Sequence, residues 1–147
     1  MQEVGTIYAL FVSQEGLSKP ITKADILLKK QGILEDKHYG SIPERTVLIA
    51  SLESYKIVKN KTGIEMTHGY LGENILIDYN PYHLLSGTQL HIGTVVLEIS
   101  KNCTLCNHLA ALDKRIPKLL KKNRGIFAKV VEEGSIKIGD KVYLKDC

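Results

Sequence analysis

The chain has no tryptophan, two phenylalanines, two methionines, four prolines and three cysteines among its 147 residues. Three cysteines are an odd number and too few for a disulfide framework, so reduced thiols are expected. No apolar run approaches the roughly 20 residues that cross a bilayer; ThrValLeuIleAla at 46–50 is typical of the longest. Walker loops, GxGxxG, HExxH and the nucleophile elbow are all missing, which removes the common nucleotide-binding, zinc-protease and hydrolase assignments. There is no internal repeat, low-complexity tract or linker-like stretch. The opening MetGlnGluValGlyThrIleTyr lacks a basic stretch followed by an apolar one, which predicts no signal or transit peptide, no membrane association and a cytoplasmic location.

What is present describes an ordinary folded chain. Apolar residues make up 44%, charged residues 24%, and mean hydropathy is −0.06, well away from disorder. The length suits one domain spanning 1–147. Short apolar runs of β character recur at 6–12, 24–28, 46–50, 74–79, 89–92, 94–100, 125–131 and 136–144. Helix signals are few. Ser51 is placed to cap a helix to about Asn60, with Leu52, Tyr55 and Val58 on one side and Gly63 as its stop. A second helix covers about 107–123, with Pro117 expected to kink or divide it. The expected class is β-rich α+β: a closed or nearly closed barrel whose few short helices cover ends or edges, since no βαβ spacing stands out.

The net charge of +4 is unevenly spread. Up to Glu73 the chain carries nine residues of each sign. Most of the excess lies in 114–129, where Lys114, Arg115, Lys118, Lys121, Lys122, Arg124 and Lys129 occur without an acidic residue between them. Such a run either faces an anion or is a solvated surface. Its one aromatic, Phe127, gives little for stacking bases, so nucleic acid is not an expected partner.

Four places could carry chemistry. Cys103-Thr-Leu-Cys106-Asn-His108 follows a strand and opens the basic segment, where backbone N–H groups and cations favour a thiolate. A reactive cysteine, a zinc site completed by His108 and Cys147, a redox pair and buried inert thiols all remain open there. Asp36, Lys37 and His38 sit in a turn after an apolar strand and could form a pocket mouth or a solvated turn. Glu73 and Asn74 enter a strand and could serve a ligand or loop backbone. Arg124 beside Gly125 could approach an anionic group such as phosphate or be a solvated charge.

The order of these pieces resembles the MOSC domain family, found at the C-terminus of molybdenum cofactor sulfurase and as small stand-alone bacterial proteins. The elements are GILEDKH at 32–38, RTVLI at 45–49, LGENI at 71–75, SGTQLHIG at 86–93, the two cysteines, and RGIFAKVVEEGSIKIGDKV at 124–142. The likeness runs from about Thr6 to Leu144. It implies a barrel-like fold that binds the molybdenum cofactor, a phosphate-bearing molybdopterin, with Asp36, Lys37, His38, Arg45, Glu73, Asn74 and Arg124 as cofactor-binding positions. It implies Cys106 as the sulfur-carrying or molybdenum-ligating residue, with Cys103 as the upstream thiol. Glu35 stands where the family usually has glycine, and Lys37 where many members have arginine.

The activity so implied is sulfur carriage or transfer through a persulfide, with a cysteine desulfurase as external donor and a molybdoenzyme as acceptor. The alternative is a non-catalytic cofactor carrier or chaperone. A reductase of hydroxylated nitrogen compounds is a third reading, which would need redox partners outside this chain.

Overall fold

The computed structural model describes residues 1–104 and 107–145. Strands β1 (Gln2–Val12), β2 (Ile21–Lys23), β3 (Asp25–Lys29) and β4 (Gly32–Ile33) come first. A 3-10 turn, Pro43–Arg45, leads into β5 (Val47–Ser51), α1 (Leu52–Thr62) and β6 (Ile75–Ile77). Next come β7 (Gln89–Ile92), β8 (Val95–Asn102), α2 (Asn107–Leu112) and α3 (Ile116–Leu119). The chain ends with β9 (Ile126–Glu132), β10 (Gly134–Lys137) and β11 (Lys141–Leu144).

Seven strands close into a barrel in the order β1, β11, β7, β8, β9, β5, β6 and back to β1. This β-rich architecture with a few short helices is the expected class. The strand β2 pairs with β1 beside β6, and β10, β3 and β4 form a separate three-stranded sheet. Alternation along each strand fills the barrel: Val47 and Ile49 of β5 and Leu97 and Ile99 of β8 point inward. Burying each such side chain stabilises the fold by about 1.5 to 3 kcal/mol. On β1 the inward residues are Ile7, Leu10 and Val12, an odd step that strict alternation cannot make. A register shift against β6 between Ile7 and Ala9 supplies the missing residue, Tyr8.

The expectation of no strand–helix–strand unit is corrected. The strands β5 and β6 pair in parallel, Ile49 opposite Ile75, and α1 lies between them in sequence. Parallel neighbours need a long crossover, and residues 52–74 provide it. The unit's strand, helix and strand were each expected, but the irregular stretch 63–74 hides that the two strands pair in parallel. The unit also explains why β5 and β6 are buried at every position. Their outward residues Ala50 and Leu76, with Phe11 of β1, pack against Tyr55 and Val58 of α1 and against Leu109, Ile116 and Leu120.

The helix ends follow the sequence signals. The Ser51 hydroxyl accepts from Glu53 N at 3.1 Å, and Gly63 closes α1 at φ 77°. The 107–123 helix is divided into α2 and α3, with Pro117 in the first turn of α3, where a missing N–H costs nothing. The predicted strands at 24–28 and 136–144 differ in detail. The first gains a neighbour at 21–23, and the second splits into β10 and β11 around Gly139 at φ 94°.

Candidate functional site

Asp36 and Asn74 meet at the end of the barrel where β1 runs out and β5 and β6 begin. Asn74 Oδ1 accepts from Leu48 N at 3.0 Å, while Nδ2 donates to Phe11 O at 3.3 Å and to Asp36 Oδ1 at 3.1 Å. Asp36 Oδ1 also accepts from Ser13 N at 2.8 Å. Its Oδ2 takes His38 N at 3.1 Å and faces His38 Nδ1 at 3.3 Å. Burial pushes the Asp36 carboxyl up, but the His38 and Ser13 hydrogen bonds outweigh it and hold the group below the usual carboxylate range. One buried side-chain pair thus ties three strands to the 34–41 loop. Asn74 serves strand backbone at Leu48 and Phe11 rather than loop backbone, and Asp36 is buried rather than in a solvated turn. In the same loop Lys37 and His38 are exposed, and Glu35 takes φ 72° with its carboxylate 3.0 Å from Lys23 Nζ.

A second polar cluster lies under α1. Glu73, only 1% exposed, accepts from Tyr55 Oη at 2.5 Å and from Gly69 N at 3.3 Å. Burial pushes the Glu73 carboxyl up against the opposing pull of Tyr55, backbone N–H groups and the Arg124 charge. Arg124 is itself 4% exposed and acts electrostatically on Glu73 and on Tyr82. The Tyr82 hydroxyl accepts from Ser51 N at 2.7 Å and meets Ser54 Oγ at 2.7 Å, and Ser54 Oγ also donates to Asn123 O. The solvated-charge alternative for Arg124 therefore falls. The space beside Gly125 is close-packed: an added Cβ would sit 3.1 Å from Leu48 Cδ1 and 3.6 Å from Cys103 Cβ. The rest of the basic run is largely a solvated surface, with Lys114, Lys118, Lys121 and Lys122 exposed and Arg115 paired to Asp113 at 2.8 Å.

Cys103 follows β8 directly, donates from its N–H to Gly125 O at 2.9 Å, and is 3% exposed as a free thiol. Cys106 and Cys147 lie outside the described residues. His108, in α2, has Nε2 2.8 Å from Tyr70 O, so Nε2 carries a proton there and only Nδ1 could offer a lone pair. Among the described residues no three His, Cys, Asp or Glu side chains are grouped to hold a metal ion.

Arg45 belongs to a third place. It lines an open cavity of about 490 Å³ together with Ile42, Glu44, Ser86, Ser100 and Lys101. Its guanidinium lies 5.9 Å over the Phe127 ring, and Ser100 Oγ donates to Glu44 O, fastening β8 to the 3-10 turn. Neither Lys37 nor Arg124 lines this cavity. Arg45 lies in the 3-10 turn before β5, whereas Arg124 lies two residues before β9, toward the other end of β5 by register. Thus Asp36, His38 and Asn74 are brought together, Glu73 and Arg124 form another group, and Arg45 stands apart with Lys101. Sequence reading passed over Lys101 because it reads as the frayed end of a strand. Ser86 had a signal, since it opens the SGTQLHIG element.

The chain matches the MOSC domain over residues 35–143. No curated protein matches it by sequence. Its fold is similar to the crystal structure of the YuaD protein from Bacillus subtilis, with TM-score 0.82 at 15% identity, covering 95% of this chain and 94% of that one. It is also similar to YiiM from Geobacillus stearothermophilus, with TM-score 0.71 at 19% identity over 99% of this chain and 75% of that one. YiiM from Escherichia coli gives TM-score 0.71 at 15% identity over 100% and 71%. A barrel of this topology and a match over most of its length lead to one assignment: the chain belongs to the MOSC domain family, which is linked to molybdenum-cofactor-related functions.

Proposed function

We propose that the protein binds the molybdenum cofactor and uses Cys106 to carry sulfur to it or to ligate its metal. The observation that carries this reading is the Arg45–Lys101 cavity at the strand that leads into the cysteines. Both cations are exposed and, among the described residues, neither is in an ion pair. Glu44 also lines the cavity and leaves its wall one positive charge in excess. A planar guanidinium, an ammonium and the Ser86 hydroxyl form a donor set that suits a phosphate monoester, so the residues present fit a phosphate-bearing pterin.

Lys101 lies two residues before Cys103 and five before Cys106. A ligand anchored on Arg45 and Lys101 would therefore be held at the end of β8, the strand that leads into Cys103. When bound, the cofactor supplies a metal centre able to accept thiolate or sulfur. The chain supplies the nucleophile: the Cys106 thiolate attacks the outer sulfur of a desulfurase persulfide, the new S–S bond forms, and the donor leaves as thiolate with no net oxidation. The Asp36–Asn74 and Glu73–Tyr55 networks serve this by fixing the strand ends around the site rather than by touching the ligand.

The test is to measure molybdenum, releasable pterin and sulfane sulfur in protein purified from a molybdate-fed host, with wild type and Cys106→Ala. Pterin in both, with sulfane sulfur or molybdenum lost in the variant, supports the reading. Pterin in both with no other change supports a non-catalytic carrier. Stoichiometric zinc without pterin overturns cofactor binding.

A further inference from the structure

A second cavity, of about 420 Å³, opens between β1, α1 and the segment 65–68 on the outer face of the barrel. It shares no lining residue with the Arg45–Lys101 cavity. Its wall is built of rings. His68 is met edge-on by Tyr8, centroids 5.4 Å apart at 85°, and by Tyr55 at 4.7 Å and 74°. Leu52 and Met66 complete the apolar surface.

Each ring is held for a physical reason. Tyr8 is the residue by which β1 exceeds β6 at the register shift, and the bulge leaves it 52% exposed on a strand that is otherwise mostly buried here. Tyr55 cannot swing, because its hydroxyl is bonded to Glu73 and accepts from Gly69 N at 3.0 Å. Burial holds His68 below the usual imidazole range, so near neutral pH it presents an uncharged ring.

The rim sets the sign of the ligand. Lys56 and Lys59 come from successive turns of α1, and Glu65 sits across from them. Lys59 pairs with Glu65 at 2.5 Å, while Lys56 has no ion pair among the described residues. One positive charge is thus left beside an aromatic wall. The volume lies in the range of small-molecule sites. A planar ring gains edge-to-face contacts there that a puckered ring does not. We propose that this cavity is a small-molecule site for a planar aromatic monocarboxylate, its ring among Tyr8, Tyr55 and His68 and its carboxylate on Lys56.

The experiment titrates the full chain with benzoate, cyclohexanecarboxylate and benzyl alcohol, following the Met66 methyl and His68 ring resonances by NMR. Benzoate is expected to shift both signals saturably and to bind more tightly than cyclohexanecarboxylate. Lys56→Met should weaken benzoate by about fivefold and leave benzyl alcohol unchanged, whereas Tyr8→Ala should weaken both. Both substituted side chains are exposed, and unchanged melting temperatures would confirm intact folds. The proposal is overturned if the two signals do not move at millimolar benzoate, if Lys56→Met leaves benzoate affinity unchanged, or if cyclohexanecarboxylate binds as well as benzoate.

Discussion

Glu35 holds a backbone conformation, φ 72°, that costs a side-chain-bearing residue about 1 to 2 kcal/mol. Its ion pair with Lys23 is largely exposed and returns little of this. Glu35→Gly should therefore raise stability by about 0.5 kcal/mol, after the glycine's own entropic cost, while Glu35→Val should lose about 1 kcal/mol or more. Urea midpoints of the three proteins check the ranking. Arg124 poses the opposite case, a charge buried beside Glu73. Arg124→Ala should destabilise by about 2 to 4 kcal/mol, because it leaves an uncompensated carboxyl inside, and Glu73→Gln in the same chain should recover part of that. Chemical denaturation of the two single variants and the double variant checks it. The sequence marked Asp36, Asn74, Glu73 and Arg124 as unusual but not what they touch. The partners of the first three lie at Ser13, Leu48, Phe11 and Tyr55, and contacts so distant along the chain leave no local pattern.

Longer apolar runs of β character, such as β1, β8 and β9, were legible in the sequence, as were the cap and stop of α1. The elements that escaped are β2 and β4, too short to show a period; β6 was expected within 74–79, but its parallel pairing with β5, and so the crossover, was not. The seat of the small sheet on the barrel was equally silent. It depends on Gly134, where an added Cβ would lie 2.5 Å from Thr94 Oγ1 and 3.1 Å from Val95 Cγ2. Gly134→Ala should cost about 1 to 3 kcal/mol through this overlap at the start of β10, and Thr94→Ala in the same chain should restore part of the loss by opening space. Thermal melts of the two single variants and the double variant test whether the contact is steric.

For the whole molecule, closing the barrel through the β1–β11 pairing fixes the relation between the strand ends, which come from distant parts of the sequence. The end of β8 and the turn before β5 lie more than fifty residues apart in sequence, yet Ser100 fastens one to the other and sets Lys101 in the same cavity as Arg45. For the proposed site the small net charge matters less than this placement of two exposed cations in one cavity. The most direct measurement is the affinity of the molybdenum cofactor for wild type and for the Arg45→Ala, Lys101→Ala double variant at fixed ionic strength. Both side chains are exposed, so the fold should be kept within about 0.5 kcal/mol per substitution. Losing the two charge-assisted contacts should weaken binding by roughly thirtyfold or more, equivalent to about 2 kcal/mol. An affinity unchanged within about twofold would contradict the assignment of this cavity to the cofactor phosphate.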